Sequence, residues 1–362
     1  MKLGFALEYS LGHITHADNL KRVLKDDASV EPVYIDLPFD GIDAPWARLP
    51  GIRGNWSARA SAAAYLGLSP HKKTLDAVLF HTQVTSLLSA GFMKSVPSVI
   101  SLDATPLQYD AMGSFYGHNP SANSSLENWK KGLNIKAFHA ARHLVTWSEW
   151  AKASLVADYQ VPADKVTVIP PGIDTKNWDF TQHTKDSRPG QTKLLFVGGD
   201  FPRKGGDTLL AAMRSLPADL GIELDIVTKD QPDIAGCGNV RVHNGLKPNS
   251  KPLMDLFANA HVFVFPTRGD CLPLAVMEAL TAGLPVITSD VGALSEAVTD
   301  NITGLVVPPD DVEALAKAIT YLAGHPDERQ KMSTAARAVG LERFDAVTNY
   351  RRLVQVVKSV AK

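Results

Sequence analysis

The sequence predicts two consecutive α/β domains, each a parallel β-sheet covered by helices. Three observations predict this fold class. The chain has 362 residues, and at about 150 residues per domain that length favours two domains. Short apolar runs alternate with longer amphipathic segments in both halves, which is the pattern of β-α-β units. The alternation breaks at Pro170-Pro171-Gly172 and starts again at Leu194, so we place the boundary between these points.

The composition is that of an ordinary globular protein and excludes several classes. Hydrophobic residues make up 45% of the chain and charged residues 21%, which is enough for two cores. Lys and Arg number 37 against 38 Asp and Glu, a net charge of −1, so no nucleic-acid partner is expected. Cys237 and Cys271 are too few for a disulfide framework or a Cys-rich zinc site. The apolar run after Met1 stops at Glu8 and no run reaches membrane length, so we expect a cytoplasmic protein.

The first predicted domain covers residues 1–172 and contains six apolar runs of strand length. Helical segments lie between these runs, as a parallel sheet requires. The predicted strands are Leu3–Leu7, Val33–Ile35, Ala77–Phe80, Ser98–Leu102, His143–Thr146 and Val166–Ile169, and the predicted helices include Ala17–Leu24, Ala58–Tyr65 and Ser148–Ala157.

The second predicted domain covers residues 192–344 and repeats the alternation after a polar linker over residues 173–191. A last amphipathic helix is predicted over residues 345–362. The predicted strands are Leu194–Val197, Glu223–Val227, Val240–His243, Val262–Phe265, Pro285–Thr288 and Gly304–Val307. The predicted helices are Asp207–Ser215, Lys251–Ala258, Pro273–Thr281, Leu294–Val298, Asp311–Leu322 and Gln330–Val339.

The strongest local signal is a glycine-rich turn between a predicted strand and a predicted helix. It begins with Gly198-Gly199-Asp200 and continues to Arg203-Lys204. Glycines let the backbone approach a ligand, and amides at a helix start attract anions. Two adjacent cations would suit a diphosphate. The alternative is a tight turn with solvated charges, because the turn matches neither the dinucleotide nor the P-loop pattern.

A second signal is a pair of acids around another predicted helix. Asp270 precedes this helix, which we expect to begin at Pro273, and Glu278 lies on its second turn. A carboxylate among apolar helix residues is costly unless donors meet it. The two acids could hold hydroxyl groups on either side of a diphosphate bound to the helix amides. Alternatively, Asp270 caps the helix and Glu278 faces solvent.

These motifs resemble those of the retaining GT-B glycosyltransferases, in particular family 4 (glycosyl transferases group 1). The family has a glycine turn followed by Arg/Lys-Lys-Gly, as at Arg203-Lys204-Gly205, and two acids that frame seven residues, as at Asp270 and Glu278. The resemblance spans both halves of the chain. Further matching stretches are Trp147–Trp150, Val166–Asp174, Phe263–Thr267, Thr281–Ile287 and Asn301–Asp310.

The resemblance implies two Rossmann-like doubly wound domains facing each other across a cleft, with helix 345–362 packed back on the first domain. It also implies a nucleotide-diphosphate sugar as donor, and transfer of its hexose to an acceptor hydroxyl with retention of the anomeric configuration. The acceptor would be a glycan, a lipid-linked molecule or a small molecule.

The resemblance also implies roles for the residues of the second domain. Glu278 would accept hydrogen bonds from the ribose, and Asp270 would hold the transferred sugar. Arg203 and Lys204 would stabilise the departing diphosphate in place of a metal, and no Asp-x-Asp follows an apolar strand. No cofactor and no metal are therefore expected. The implied donor-binding residues are Gly198, Gly199, Asp200, Arg203, Lys204, Asp270, Cys271, Leu272, Pro273, Leu274 and Glu278.

The first domain is expected to supply the acceptor side of the cleft. Gly12, His13 and His16 lie between the first strand and the first predicted helix, and Asp103 follows another strand at the same edge. Either histidine could contact phosphate or acceptor, although a solvated loop histidine is the alternative. Asp103 could bind an acceptor hydroxyl or cap the turn before Pro106.

The chain departs from the family's pattern at three places. Asp270 replaces the commoner Glu, and Gly199-Asp200 stand where many members carry an Arg. Near the end of the strand Ser98–Leu102, where many relatives place a histidine, this chain has Leu102 and Asp103. These departures keep open a noncatalytic nucleotide-sugar-binding protein. The same fold also allows a phosphorylase or a nucleotide-sugar epimerase.

One further segment, Trp129–Lys136, combines an aromatic residue with lysines. It could be a membrane-surface segment. We favour a packing helix with solvated lysines, because the run is short and Gly132 interrupts it.

Overall fold

The computed structural model describes residues 1–10, 12–39, 41–42, 44–48, 52–116, 124–185, 188 and 190–362. The chain divides into two units. Met1–Gly172 and Ala346–Lys362 form the first unit, and Ile173–Asp345 form the second. Each unit contains one six-stranded sheet, and neighbouring strands pair in parallel. All twelve predicted strands are confirmed.

The first unit has the strand order β2-β1-β3-β4-β5-β6. Strands β3 and β4 are buried along their whole length, which explains why parallel strands give continuous apolar runs in the sequence. The strands are β1 Lys2–Tyr9, β2 Glu31–Pro38, β3 Ala77–His81, β4 Ser98–Leu102, β5 His143–Thr146 and β6 Val166–Val168. The helices before the second unit are α1 His13–Leu24, α2 Trp56–Leu68, α3 Ala90–Met93, α4 Pro106–Ala111, α5 Ser124–Ala140 and α6 Glu149–Tyr159.

The second unit has the strand order β12-β11-β10-β7-β8-β9. Its strands are β7 Thr192–Val197, β8 Ile222–Val227, β9 Asn239–His243, β10 Val262–Phe265, β11 Val286–Ser289 and β12 Gly304–Val307. Its helices are α7 Gly206–Ser215, α8 Lys251–Asn259, α9 Leu274–Thr281, α10 Leu294–Ala297, α11 Val312–Gly324 and α12 Pro326–Arg343. The last helix of the chain, α13 Ala346–Ser359, belongs to the first unit.

Helix α13 completes the core of the first unit. Its buried residues Tyr350, Leu353 and Val357 lie in one cluster with residues of β1 and α1. The chain approaches this helix closely at Gly172, where a Cβ atom would lie 2.2 Å from the Cα of Ala346. A larger residue at position 172 would therefore push the helix away from the sheet.

The segment predicted as a linker, residues 173–191, packs instead on the second unit. Trp178 is 1% exposed, its ring lies 4.8 Å from that of Phe257, and its Nε1 donates to Oδ1 of Asn249 at 3.3 Å. The burial of one large aromatic side chain thus ties the segment down, although its composition is polar. Residues 186, 187 and 189 of the predicted linker lie outside the described residues.

Helix α5 includes the segment Trp129–Lys136, and it does not bury its tryptophan. The helix does pack on the core of the first unit through Ile135, Ala137 and Phe138, as predicted, but Trp129 is 62% exposed. Lys130 pairs with Glu127 at 2.9 Å, and Lys131 lies 5.8 Å from the ring centre of Tyr159. Among the described residues, no helix has the length and apolar character needed to cross a membrane.

Both sheets begin at an inner strand, and this fact locates their candidate sites. Strand β1 lies between β2 and β3, and β7 lies between β8 and β10. The chain therefore winds outward in two directions from β1 and from β7. Ligands of open α/β sheets bind at the carboxyl ends of the two strands where the direction reverses. We call the carboxyl ends of β1 and β3 the first switch point, and those of β7 and β10 the second switch point.

Candidate active site

The glycine-rich turn after β7 forms one side of the second switch point. Gly205 has φ +76°, and a Cβ atom there would lie 1.8 Å from the carbonyl oxygen of Pro266, in the loop after β10. Only glycine satisfies both conditions. The turn and the loop after β10 are therefore in direct backbone contact, which places Lys204 beside the second loop.

Arg203 joins the two loops and is buried, with 7% of its side chain exposed. Its Nε donates to Oδ2 of Asp200 at 2.9 Å, and its Nη1 donates to the carbonyl oxygen of Gly269 at 2.8 Å. Its own carbonyl oxygen accepts from the backbone N–H of Arg268 at 2.9 Å. Through these contacts the guanidinium links the turn after β7 to the loop after β10. Arg203, predicted to contact a diphosphate, thus has a structural role in this arrangement.

Lys204 and Asp270 form an ion pair at the second switch point. Lys204 Nζ donates to Asp270 Oδ2, and Arg203 Nη1 lies 3.8 Å from the same oxygen. Lys204 Nζ also lies 5.1 Å from the ring centre of Phe265. Only 14% of the Lys204 side chain and 11% of the Asp270 side chain are exposed. Burial lowers the pKa of Lys204, and the carboxylate of Asp270 opposes that shift.

The loop between Asp270 and α9 is buried and held from a third strand. A Cβ atom at Gly292, after β11, would lie 2.1 Å from the carbonyl oxygen of Asp270. Ala293 N donates to the carbonyl oxygen of Cys271 at 2.9 Å. Pro273 precedes the helix, which begins one residue later than predicted, and no side chain caps it. The alternative in which Asp270 is the helix cap is therefore wrong.

Glu278 is buried on α9, so the alternative in which it faces solvent is also wrong. It is 6% exposed, and no group among the described residues donates a hydrogen bond to its carboxyl. Burial raises the pKa of Glu278 to about 7. A buried carboxyl without a donor is costly to ionise, so a ligand that brings hydroxyl donors would stabilise the carboxylate.

The first switch point contains a buried carboxylate that the sequence did not indicate. Glu8, near the end of β1, is 6% exposed. Its Oε1 accepts from Ser10 Oγ at 2.6 Å and from Trp56 Nε1 at 3.1 Å. Its Oε2 accepts from Thr82 Oγ1 at 2.5 Å. This network joins the residues after β1 to those after β3.

His13 lies at the same switch point. It contacts Asp103, which the sequence predicts as a site residue, and His81, which it does not. Its Nδ1 lies 3.0 Å from Nε2 of His81, at the end of β3, and its Nε2 lies 3.8 Å from Oδ2 of Asp103, after β4. The segment Leu102-Asp103 itself carries no histidine, but the first helix brings His13 beside Asp103. Burial raises the pKa of Asp103, and His13 opposes the shift. Asp103 Oδ1 also accepts from Ala104 N at 2.9 Å, so it binds its own turn as well.

His16 was predicted at the cleft edge, but it is a core residue. Helix α1 begins at His13, directly after Gly12, so both histidines are helical rather than in a loop. His16 is 1% exposed, stacks on His81 with 4.1 Å between ring centres, and its Nδ1 lies 3.2 Å from the hydroxyl of Tyr350. Burial lowers the pKa of His16 to about 3 and that of His81 well below its usual value. Both imidazoles are neutral, and His16 positions His81.

Two α/β units, each built on a parallel sheet with a polar cluster at its switch point, define a two-domain protein of the GT-B glycosyltransferase fold. Residues 23–177 match the family model described as Glycosyltransferase Family 4, and residues 179–339 match that described as Glycosyl transferases group 1. The structure of Anabaena Alr3699/HepE in complex with UDP has a TM-score of 0.73 and 14% identity, and the match covers 99% of this chain and 100% of that chain.

Two relatives extend the comparison to sequence. The MMP α-(1→4)-mannosyltransferase of Mycolicibacterium hassiacum is 29% identical over 209 residues, 56% of this chain and 50% of that protein. The α-maltose-1-phosphate synthase of Mycolicibacterium smegmatis is 25% identical over 383 residues, 96% of this chain and 95% of that protein. The match thus spans half the length of the first relative and nearly all of the second. The chain belongs to glycosyltransferase family 4, the glycosyl transferases group 1.

Proposed function

We propose that this chain is a glycosyltransferase that moves a hexose from a nucleotide-diphosphate sugar to an acceptor hydroxyl, with retention of the anomeric configuration. The observation that carries the proposal is the meeting of Lys204, Asp270 and the start of α9 at one switch point. A cation and helix amides suit the two phosphates of a sugar diphosphate, and a carboxylate suits a hydroxyl of its sugar. The bound UDP of the Anabaena neighbour supports a nucleotide as the carrier.

In this proposal the second unit binds the donor. Lys204 and the amides of Leu272 and Leu274 face the diphosphate, and Lys204 stabilises the negative charge that grows on it as the sugar leaves. A fixed cation in a site from which water is largely excluded is most effective at this step. Asp270 accepts a hydrogen bond from a sugar hydroxyl, and Glu278 accepts hydrogen bonds from the ribose. We propose that these groups act without a metal ion.

The first unit then presents the acceptor. Glu8, His13 and Asp103 place carboxylate and imidazole groups at the first switch point, and such groups orient hydroxyls through hydrogen bonds. Arg203 and His16 stabilise the two sites indirectly, since Arg203 binds Asp200 and the carbonyl oxygen of Gly269, and the buried ring of His16 contacts Tyr350 and His81.

A panel of UDP-glucose, GDP-mannose and ADP-glucose tests the proposal by thermal stabilisation. A donor at 100 times its dissociation constant adds about 2.7 kcal/mol to the free energy of unfolding. Transfer is then followed with a panel of sugar acceptors in EDTA, and NMR assigns the anomeric configuration of the product. The absence of stabilisation by every sugar nucleotide would refute the proposal.

The other candidate functions give different results in the same assay. Binding without transfer or donor hydrolysis indicates a noncatalytic nucleotide-sugar-binding protein. Cleavage that requires inorganic phosphate indicates a phosphorylase, and an epimerised donor without any acceptor indicates an epimerase.

A further inference from the structure

The ion pair between Lys204 and Asp270 occupies the place where the proposed donor would put its diphosphate. Both side chains are nearly buried, at 14% and 11% exposure, and they contact each other through Nζ and Oδ2. The attraction between two charges with so little water around them is stronger than at the surface, and separating them leaves each charge poorly solvated.

The surrounding charges leave Lys204 as the cation that an incoming anion would engage. Arg203 is already bound by Asp200 and by the carbonyl oxygen of Gly269. Two cations, Arg203 and Lys204, therefore face two carboxylates, Asp200 and Asp270, and these four charges cancel. A diphosphate does not enter a positive pocket at this point. To bind Lys204, the diphosphate must first break the ion pair between Lys204 and Asp270.

We propose that Asp270 is a competing counter-ion of Lys204, through which the site discriminates against free nucleoside diphosphate, the product. This inference rests on the proposed function and adds to it a role in product release. When a sugar nucleotide binds, Asp270 leaves Lys204 but gains a sugar hydroxyl as its new partner. When only the nucleoside diphosphate is present, Asp270 leaves Lys204 and gains nothing.

The physical cause of the discrimination is the cost of a buried carboxylate that has lost its closest cation. The cation that remains nearby, Arg203, lies 3.8 Å from Asp270 Oδ2 and is already bound by Asp200 and Gly269. Such a carboxylate is poorly hydrated and has given up its direct ion pair with Lys204, and it also lies close to the negative diphosphate. A hydroxyl of the donor's sugar gives the carboxylate a new hydrogen-bond partner and so offsets the loss of its ion pair with Lys204. The product lacks the sugar, so its affinity is lowered and it leaves the site.

The test is the affinity for inorganic pyrophosphate, and for the nucleoside diphosphate of the donor found in the stabilisation panel, measured by titration calorimetry. Asp270→Asn keeps the side-chain shape but removes the charge that competes for Lys204. We expect it to bind both ligands at least about tenfold more tightly than the wild-type chain, or about 1.4 kcal/mol. We also expect it to transfer sugar more slowly. A variant that binds the product more tightly but transfers sugar more slowly is the result expected if Asp270 is a counter-ion of Lys204.

A double-mutant cycle shows whether the gain passes through Lys204. In a Lys204→Met background, Asp270→Asn should give no more than a small part of the tightening. Asp270→Glu, which keeps the charge, should bind pyrophosphate as weakly as the wild-type chain. Asp207→Asn is the matched control, because Asp207 is 59% exposed on the first turn of α7 and pairs with Arg268 rather than with Lys204.

The outcomes separate this inference from the proposed function. If the wild-type chain binds sugar nucleotides and transfers sugar, but Asp270→Asn binds pyrophosphate no better, the counter-ion role is wrong and the glycosyltransferase proposal stands. Equal tightening in Asp270→Asn and Asp207→Asn also overturns the counter-ion role, since only the net charge would then matter. If no nucleotide or pyrophosphate binds the wild-type chain, both proposals fail.

Discussion

The two switch points occupy the same position in two similar sheets, yet they are built from different chemistry. The second is held by charges, with Lys204 bound to Asp270 and Arg203 bound to Asp200. The first is held by hydroxyl, indole and imidazole groups around Glu8 and His81. Buried imidazoles whose pKa is lowered stay neutral. A charged site suits a diphosphate, whereas hydrogen-bonding groups that are mostly neutral suit hydroxyls.

The largest expected effect comes from removing the cation of the second switch point. Lys204→Met should lower the rate of sugar transfer by about 10²- to 10³-fold, as for the loss of one preorganised group that stabilises a developing charge. Turnover of the donor at saturation measures this effect. Lys229→Met is the matched control, because Lys229 is an exposed lysine beside Gly199. If Lys204→Met were as active as this control, the second switch point would not be the site that stabilises the departing diphosphate.

Glu278 gives the next largest effect, and it depends on pH. The pKa of Glu278 is raised to about 7 by burial, and in the proposed function the ionised carboxylate is the form that accepts hydrogen bonds from the ribose. The affinity for a sugar nucleotide should therefore fall about tenfold for each pH unit below 7. Titration between pH 5 and 8 measures this change. Glu278→Gln should bind the donor more weakly and show a flat profile, and a wild-type profile without slope would contradict the assignment.

The same carboxyl gives a stability test without any ligand. Its pKa is higher in the folded chain than its ordinary value of 4.5, so the folded state binds more protons between about pH 4.5 and 7. Stability from this group is present below that window and is lost as the pH rises through it. The loss is at most about 3 kcal/mol. Chemical unfolding of the wild-type chain and of Glu278→Gln at pH 5 and 8 should show the wild-type chain losing more stability.

A smaller effect is expected at the first switch point. His13→Gln removes the imidazole between His81 and Asp103, and the loss of one hydrogen bond to an acceptor should lower transfer by about five- to tenfold. The affinity for the donor should not change, because the donor is proposed to bind the other unit. His71→Gln is the control, because His71 lies half-buried at the end of the short helical turn Ser69–His71 after α2, away from both switch points. Weaker donor binding in His13→Gln would show that the two switch points do not divide the substrates as proposed.

The smallest effect is one of stability. Tyr350→Phe removes the hydroxyl that lies 3.2 Å from Nδ1 of His16, and both groups are buried. The loss should be about 1 kcal/mol of unfolding free energy. Urea unfolding measures it, with Tyr321→Phe as control because Tyr321 is 39% exposed. A loss no larger than that of the control would mean that α13 does not depend on this contact.

The second switch point could be predicted from the sequence because its residues are close together along the chain. Gly198–Gly205 and Asp270–Glu278 each form a short motif beside a buried strand. The strands were predictable for a related reason, since a parallel strand covered on both faces is a continuous apolar run. The contact between Lys204 and Asp270, in contrast, depends on the adjacency of β7 and β10, which no local pattern encodes.

The first switch point could be predicted only in part. Glu8 and His81 come together because β1 and β3 are neighbours in the sheet, and neither residue belongs to a recognisable motif. The first turn of α1 is polar at His13 and His16 and no side chain caps it, so the apolar period begins only at Ala17. This is why the sequence predicts a helix that begins at Ala17, whereas α1 begins at His13. His81 follows a predicted strand directly, and that position was the one available signal.

The return of α13 to the first unit has a consequence for synthesis of the chain. The second unit is one continuous stretch, Ile173–Asp345, whereas the first unit needs Ala346–Lys362 to complete its core. Ribosomes make proteins from the amino terminus, and domains fold as units. The first unit can therefore complete its core only after residues 346–362 have been made, whereas the second unit has all of its own residues earlier. The order in which the two units mature is thus the reverse of the order in which they are made.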